Sequence, residues 1–113
     1  MATAHTHEEL DAWQLSAVLR DQILEASAGW QGRDRKFYDQ LRDAAASAPR
    51  NLAEGFGLFK PRQFARHARI ARASLFELRD QIKDARSRNW LTTEQATSLL
   101  KLNGRAIGAT TGS

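Results

Sequence analysis

The residues best placed to do chemistry are cationic. Arg69, Arg72, Arg79, Lys83 and Arg86 recur at helical spacing, with Phe76 inside the series. Steps of three and four residues put all six on one face of a helix. Surface arginines are usually solvated, and many are neutralised by an acid one turn away. Here the positions three and four residues from Arg69, Arg72 and Arg79 hold no acid, and only Lys83 has one, Asp80. An uncompensated basic row that includes an aromatic fits a surface that follows phosphates. It fits equally well a contact with an acidic surface of a neighbouring subunit.

Other chemistry is sparse. None of the glutamates at 8, 9, 25, 54, 77 and 94 is followed three residues later by histidine, so the Glu-x-x-His pairs of di-metal bundles are absent. His5 and His7 lie in what reads as a disordered tail. His67 stands alone and reads as a structural or surface residue. There is no Walker loop, and Gly55-Phe56-Gly57 reads as a helix stop. The serines have no evident His and acid partners. Glu54 and Glu77 read as polar contacts at a helix or subunit boundary. No catalytic residue, metal ligand or cofactor is assigned.

The elements that carry these residues follow from periodicity. Phe64, Ala68, Ala71, Leu75, Leu78, Ile82 and Ala85 form an unbroken heptad stripe, so Pro61 to about Asn89 is one long helix. Pro61 suits its first position. Before it, Phe37, Leu41, Ala44, Ala48 and Leu52 mark a helix capped by Asp34 and ending at Gly55 or Gly57, with a kink expected at Pro49. The first helix is expected from a Thr6/Glu9 capping box to Ala28, with Gly29 as its stop. It is apolar on two sides. One stripe is assigned to the core, and Leu15, Leu19 and Ile23 on the other are assigned to a subunit interface. Thr92 and Gln95 form a second capping box, which opens a last helix that carries Ala96, Leu99, Leu100, Asn103 and Ile107. Four helices, short connections and no strand signal predict an all-α, antiparallel up-down-up-down four-helix bundle. Residues 1–113 read as one domain, with 1–5 and 109–113 frayed.

Composition sets the remaining bounds. The 113 residues contain no cysteine, which excludes disulfide and thiolate chemistry and suits a reducing compartment. Neither a signal peptide nor a membrane-length apolar run is evident, so the reading is soluble and cytoplasmic, with no membrane partner. Residues 1–59 hold 6 Lys and Arg against 9 Asp and Glu, net −3, while residues 60–113 hold 11 against 4, net +7. That asymmetry points to a polyanion or to self-complementary assembly.

Ser47-Ala-Pro-Arg-Asn-Leu-Ala-Glu-Gly55 resembles the Ser-Ile-Pro-x-Asn-Ile-Ala-Glu-Gly signature of the bacterial four helix bundle protein family. That family takes in the rRNA-intervening-sequence proteins and the accessory variability determinant (Avd) of diversity-generating retroelements. The resemblance continues through Gln63-Phe-Ala-Arg66, Ala71-Arg-Ala-Ser-Leu-Phe-Glu-Leu78 and Trp90-Leu-Thr-Thr-Glu94. It implies a cytosolic four-helix bundle assembled as a homopentameric ring, and it implies no particular active site. In the retroelement members it implies a basic ring surface that binds nucleic acid and a reverse transcriptase. Pro49, Asn51, Glu54, Gly55, Ser74 and Glu77 fall on its motif positions and are read as structural. Phe56-Gly-Leu-Phe-Lys-Pro61 departs from the pattern where relatives carry basic and Ser/Thr residues, which argues against this loop touching nucleic acid. The expectation is a non-enzymatic oligomeric accessory protein that binds RNA or DNA through its third helix. The alternative is a structural homo-oligomer that binds a protein partner.

Overall fold

Four amphipathic helices bury their apolar stripes against one another. The computed structural model describes residues 5–111. Helices α1 (Asp11–Ala26), α2 (Arg35–Gly57), α3 (Pro61–Ser87) and α4 (Thr93–Thr111) are supplemented by 3-10 turns at His7–Glu9 and Trp30–Gly32. Each helix packs against the next and α4 returns to α1, while the diagonal pairs make no close approach among the described residues. This is the square of a four-helix bundle, 43 × 24 × 18 Å in extent. Side-chain pairings give the directions. Arg88 meets Asp34, Ser74 meets Ser47 and His67 meets Asn51, so α2 and α3 run oppositely. Arg86 meets Thr93, and Asn103 meets Leu75 deeper in, so α3 and α4 do too.

The ends are set by local chemistry. The Asp34 carboxylate accepts from the Phe37 N–H at 3.0 Å and caps α2. Thr92 and Gln95 form their capping box reciprocally, at 3.0 and 2.8 Å. Asn89, at φ 62°, ends α3 in the left-handed region, and the Asn89 and Trp90 N–H groups return to the carbonyls of Arg86 and Ala85. That is a Schellman closure with Asn in place of Gly. Gly29 takes φ 90° after α1.

The core is the heptad stripe of α3, buried from Ala68 to Ala85, together with Leu41, Ala44, Ala48 and Leu52 of α2 and Ala96, Leu99 and Ala106 of α4. Ala44, Ala45 and Ala48 are all buried, and they keep the inner face of α2 shallow. Asn103 is also fully buried. Its amide donates to the Leu75 carbonyl at 2.9 Å, and its Oδ1 has no hydrogen-bond partner among the described residues.

Four expectations are corrected. Leu19 and Ile23, assigned to a subunit interface, are 0% and 2% exposed in the single chain and belong to its own core. Only Leu15 of that trio stays half-buried. The two apolar stripes of α1 are alike in composition, and the one given to the partner is the one that turns inward. The Thr6/Glu9 capping box does not form: Thr6 makes no side-chain cap, and the Glu9 carboxylate accepts from the His5 N–H instead. His7 is not in a loose tail, because its ring packs edge-on against Trp13 at 5.0 Å. Residues 109–111 continue α4, with Thr110 buried and its hydroxyl donating to the Ala106 carbonyl. Residues 1–4 and 112–113, also expected to fray, lie outside the described residues.

Candidate nucleic-acid interface

Helix α3 carries different chemistry on its two flanks. The flank toward α2 is a polar seam built from the motif residues. Asn51 is buried. Its Nδ2 donates to the Ser47 carbonyl at 2.9 Å and to Ser47 Oγ at 3.1 Å. Its Oδ1 must then be the acceptor for His67 Nδ1 at 3.1 Å, which fixes the neutral imidazole as the Nδ1–H tautomer. Ser74 Oγ donates to Ser47 Oγ at 2.7 Å and also lies 3.1 Å from the Ile70 carbonyl. Glu54 stays exposed at the rim, 3.9 Å from His67, and Glu77 is exposed beside Ser74. Pro49 is buried within α2.

Gly55 lies within this seam and inside α2, not at its end. A Cβ there would stand 2.7 Å from the His67 Cβ and 3.4 Å from the Phe64 Cα. Its work is close approach, and the stop expected there comes two residues later, at Gly57. Among the described residues no hydroxyl of the seam is hydrogen-bonded to His67, whose ring meets Asn51 and Glu54 instead. Among the described residues, no group of three or more His, Asp or Glu is placed to hold a metal.

Spacing offered a signal for the two seam residues left unassigned. Ser47 lies four residues before Asn51, and His67 lies seven before Ser74. Each pair therefore shares a helix face.

The other flank is basic. Arg69, Arg79 and Lys83 are exposed, and Arg72 is half-buried. Arg86 is half-buried and committed to the α3–α4 turn, donating to Thr93 Oγ1 at 2.6 Å and to Asn89 Oδ1 at 3.3 Å. The row also extends toward the start of α3, through exposed Arg62 and Arg66. From Arg62 to Lys83 it covers roughly 32 Å of helix. None of Arg62, Arg66, Arg69, Arg72, Arg79 and Lys83 makes an ion pair among the described residues. Phe76 projects from the middle of the row, 46% exposed.

A different arginine shows what a committed guanidinium looks like. Arg88 reaches Asp34 at 2.9 Å and Asp84 at 3.2 Å, and it lies 4.3 Å above Phe37 and 5.0 Å above Trp90. Those rings and Trp30 pack edge-on or tilted against one another. The Phe37 N–H and then Arg88 hold the Asp34 carboxyl below its ordinary range, and Asp34 and Asp84 raise Arg88. In the sequence Asp34 is recognisable only as a helix cap.

A family model described as 23S rRNA-intervening sequence protein matches residues 8–109. No curated protein matches the chain.

Proposed function

The chain belongs to the 23S rRNA-intervening sequence protein family, and from that premise we propose that it is a non-enzymatic, oligomeric accessory protein that binds nucleic acid through the basic flank of α3. The observation that carries this is the row Arg62, Arg66, Arg69, Arg72, Arg79 and Lys83, which has no ion-pair partner among the described residues. Burial of α3 fixes its direction but leaves this flank free to hold charge. The seam on the opposite flank has a structural role, because its polar atoms are turned on one another. Lack of cysteine suits a reducing compartment, and a cytoplasmic location is part of the proposal. No helix of the described residues is long and apolar enough to cross a membrane.

A helix flank of guanidinium groups neutralises phosphates and reads few base edges, so binding is largely independent of sequence. Self-association, with five subunits as the expected number, would repeat the row around a ring and multiply its avidity. A protein partner such as a reverse transcriptase would use the surface this leaves exposed.

Filter binding of RNA and DNA across a salt series tests the reading. The logarithm of affinity falls with the logarithm of salt by about 0.7–0.9 per phosphate contact. Replacing Arg72 and Arg79 by Gln flattens that slope while the particle mass stays the same. Salt-insensitive, unsaturable binding by the wild type overturns the proposal. A double variant that instead changes the mass favours the scaffolding role, with the row as a subunit contact.

A further inference from the structure

The connection between α2 and α3 projects the most exposed large apolar side chain of the described residues. Phe59 is 81% exposed and contributes nothing to the core. Its backbone sits at φ 54°, a left-handed conformation that L-residues with a Cβ adopt at a cost. Stability would be served better by glycine there. The ring therefore needs a reason outside the fold.

Its surroundings indicate one. The Phe56 ring lies 6.0 Å away, tilted by 55°. Together with Leu10, Pro61 and Phe64, the two rings line a largely apolar recess at this end of the bundle. Lys60, Arg62 and Arg66 follow within seven residues, all exposed and none in an ion pair. From Gly55 to Phe76 the chain holds five Lys and Arg and no acid. A protein groove with this charge would need an acidic apolar partner. A nucleic acid meets both needs at once, because every base has an apolar face and every nucleotide carries a phosphate.

We propose that Phe59 is a base-stacking platform for single-stranded nucleic acid, with Lys60, Arg62 and Arg66 holding the flanking phosphates and leading the strand onto the α3 row. This rests on the nucleic-acid reading above and sharpens it from any polyanion to unpaired strands. In a duplex the base faces are already stacked on one another and closed to Phe59. The departure of residues 56–61 from the family pattern weakens a contact made through loop charge, but not one made through an exposed ring. What the loop lacks in charge it gains in an exposed ring, and the charge resumes at Lys60.

The test is fluorescence anisotropy at fixed salt with labelled oligo-U, oligo-dT and a hairpin duplex of equal phosphate number. The proteins are the wild type, Phe59→Ala, Phe59→Leu and Phe59→Trp, each sized by light scattering. One lost stack lowers single-strand affinity by roughly 5- to 150-fold in Phe59→Ala and Phe59→Leu, and Phe59→Trp restores it. Duplex affinity stays within about 2-fold of the wild type, because phosphate contacts are intact. The RNA and DNA arms show which strand is preferred. Equal losses on strand and duplex, retention by Phe59→Leu, no loss at all, or a changed particle mass would each overturn the platform. If the wild type binds both ligands and Phe59→Ala is unchanged, only the platform fails. If the wild type binds neither, the basic flank of α3 fails with it.

Discussion

Gly55 has a role set by a single missing atom. In an exposed helix, replacing glycine by alanine normally stabilises by about 1 kcal/mol. At Gly55 the sign inverts, since the new methyl group would meet the His67 Cβ at 2.7 Å, and neither helix backbone can yield cheaply. Gly55→Ala should destabilise by roughly 1–3 kcal/mol, the usual cost of overpacking. Chemical denaturation measures it, with Gly104→Ala as the control because a Cβ there meets nothing within 4 Å. A stabilised Gly55→Ala would mean that α2 and α3 are not in close contact at this level.

At the scale of elements, the start of α2 and the end of α3 are joined through Asp34 and Arg88. Asp34→Asn keeps a good helix cap but removes the charge that Arg88 binds. The sign of the pH effect follows from the shift. Folding holds the Asp34 pKa below its ordinary 3.8, so its contribution is complete above that value and is lost as pH falls through the lower folded-state value. The Asp34 and Asp84 carboxylates raise the Arg88 pKa further, so it stays charged throughout this range. Thermal melts should therefore show the wild type above Asp34→Asn at pH 7, with the gap unchanged down to about pH 4 and closing below it. A gap that does not narrow at all as pH falls below the ordinary carboxylate range would assign the effect to capping and not to charge. Asp34 was legible in the sequence as a cap because capping is local. Its second partner was not, because Arg88 lies 54 residues away.

For the molecule as a whole, charge is sorted by face and not simply by the two halves of the sequence. Glu25 and Glu94 line the groove between α1 and α4, while α3 carries the basic row. For the proposed self-association, only Leu15 of the stripe first assigned remains accessible. Leu15 and Val18 border the outer α1–α4 groove beside Arg105, and Val18 is 47% exposed. A charge at Val18 is solvated in a free chain and buried only in an interface, whereas a charge at Leu19 is buried in any case. Val18→Asp should dissociate the particle and leave its helicity intact. Leu19→Asp should unfold the chain at every concentration. Light scattering beside circular dichroism separates the two. A wild-type monomer at micromolar concentration would remove the oligomer from the proposal.

The sequence alone determined what depends on neighbours within about one helical turn. The α3 heptads, the Thr92/Gln95 box, Pro61 at the first position of α3 and the spacing of the basic row are all fixed by residues three or four apart. Periodicity states that a face is buried but not against what. Helix α1 offered two similar apolar faces, and only packing decided that Leu19 and Ile23 turn inward. The same limit applied to the seam. Ser47 finds Ser74 at a separation of 27 residues, and Asn51 finds His67 at 16. Those pairings and the demand for glycine at 55 were decided when α2 and α3 docked, because each depends on the distance between two helices and not on the order of residues within one.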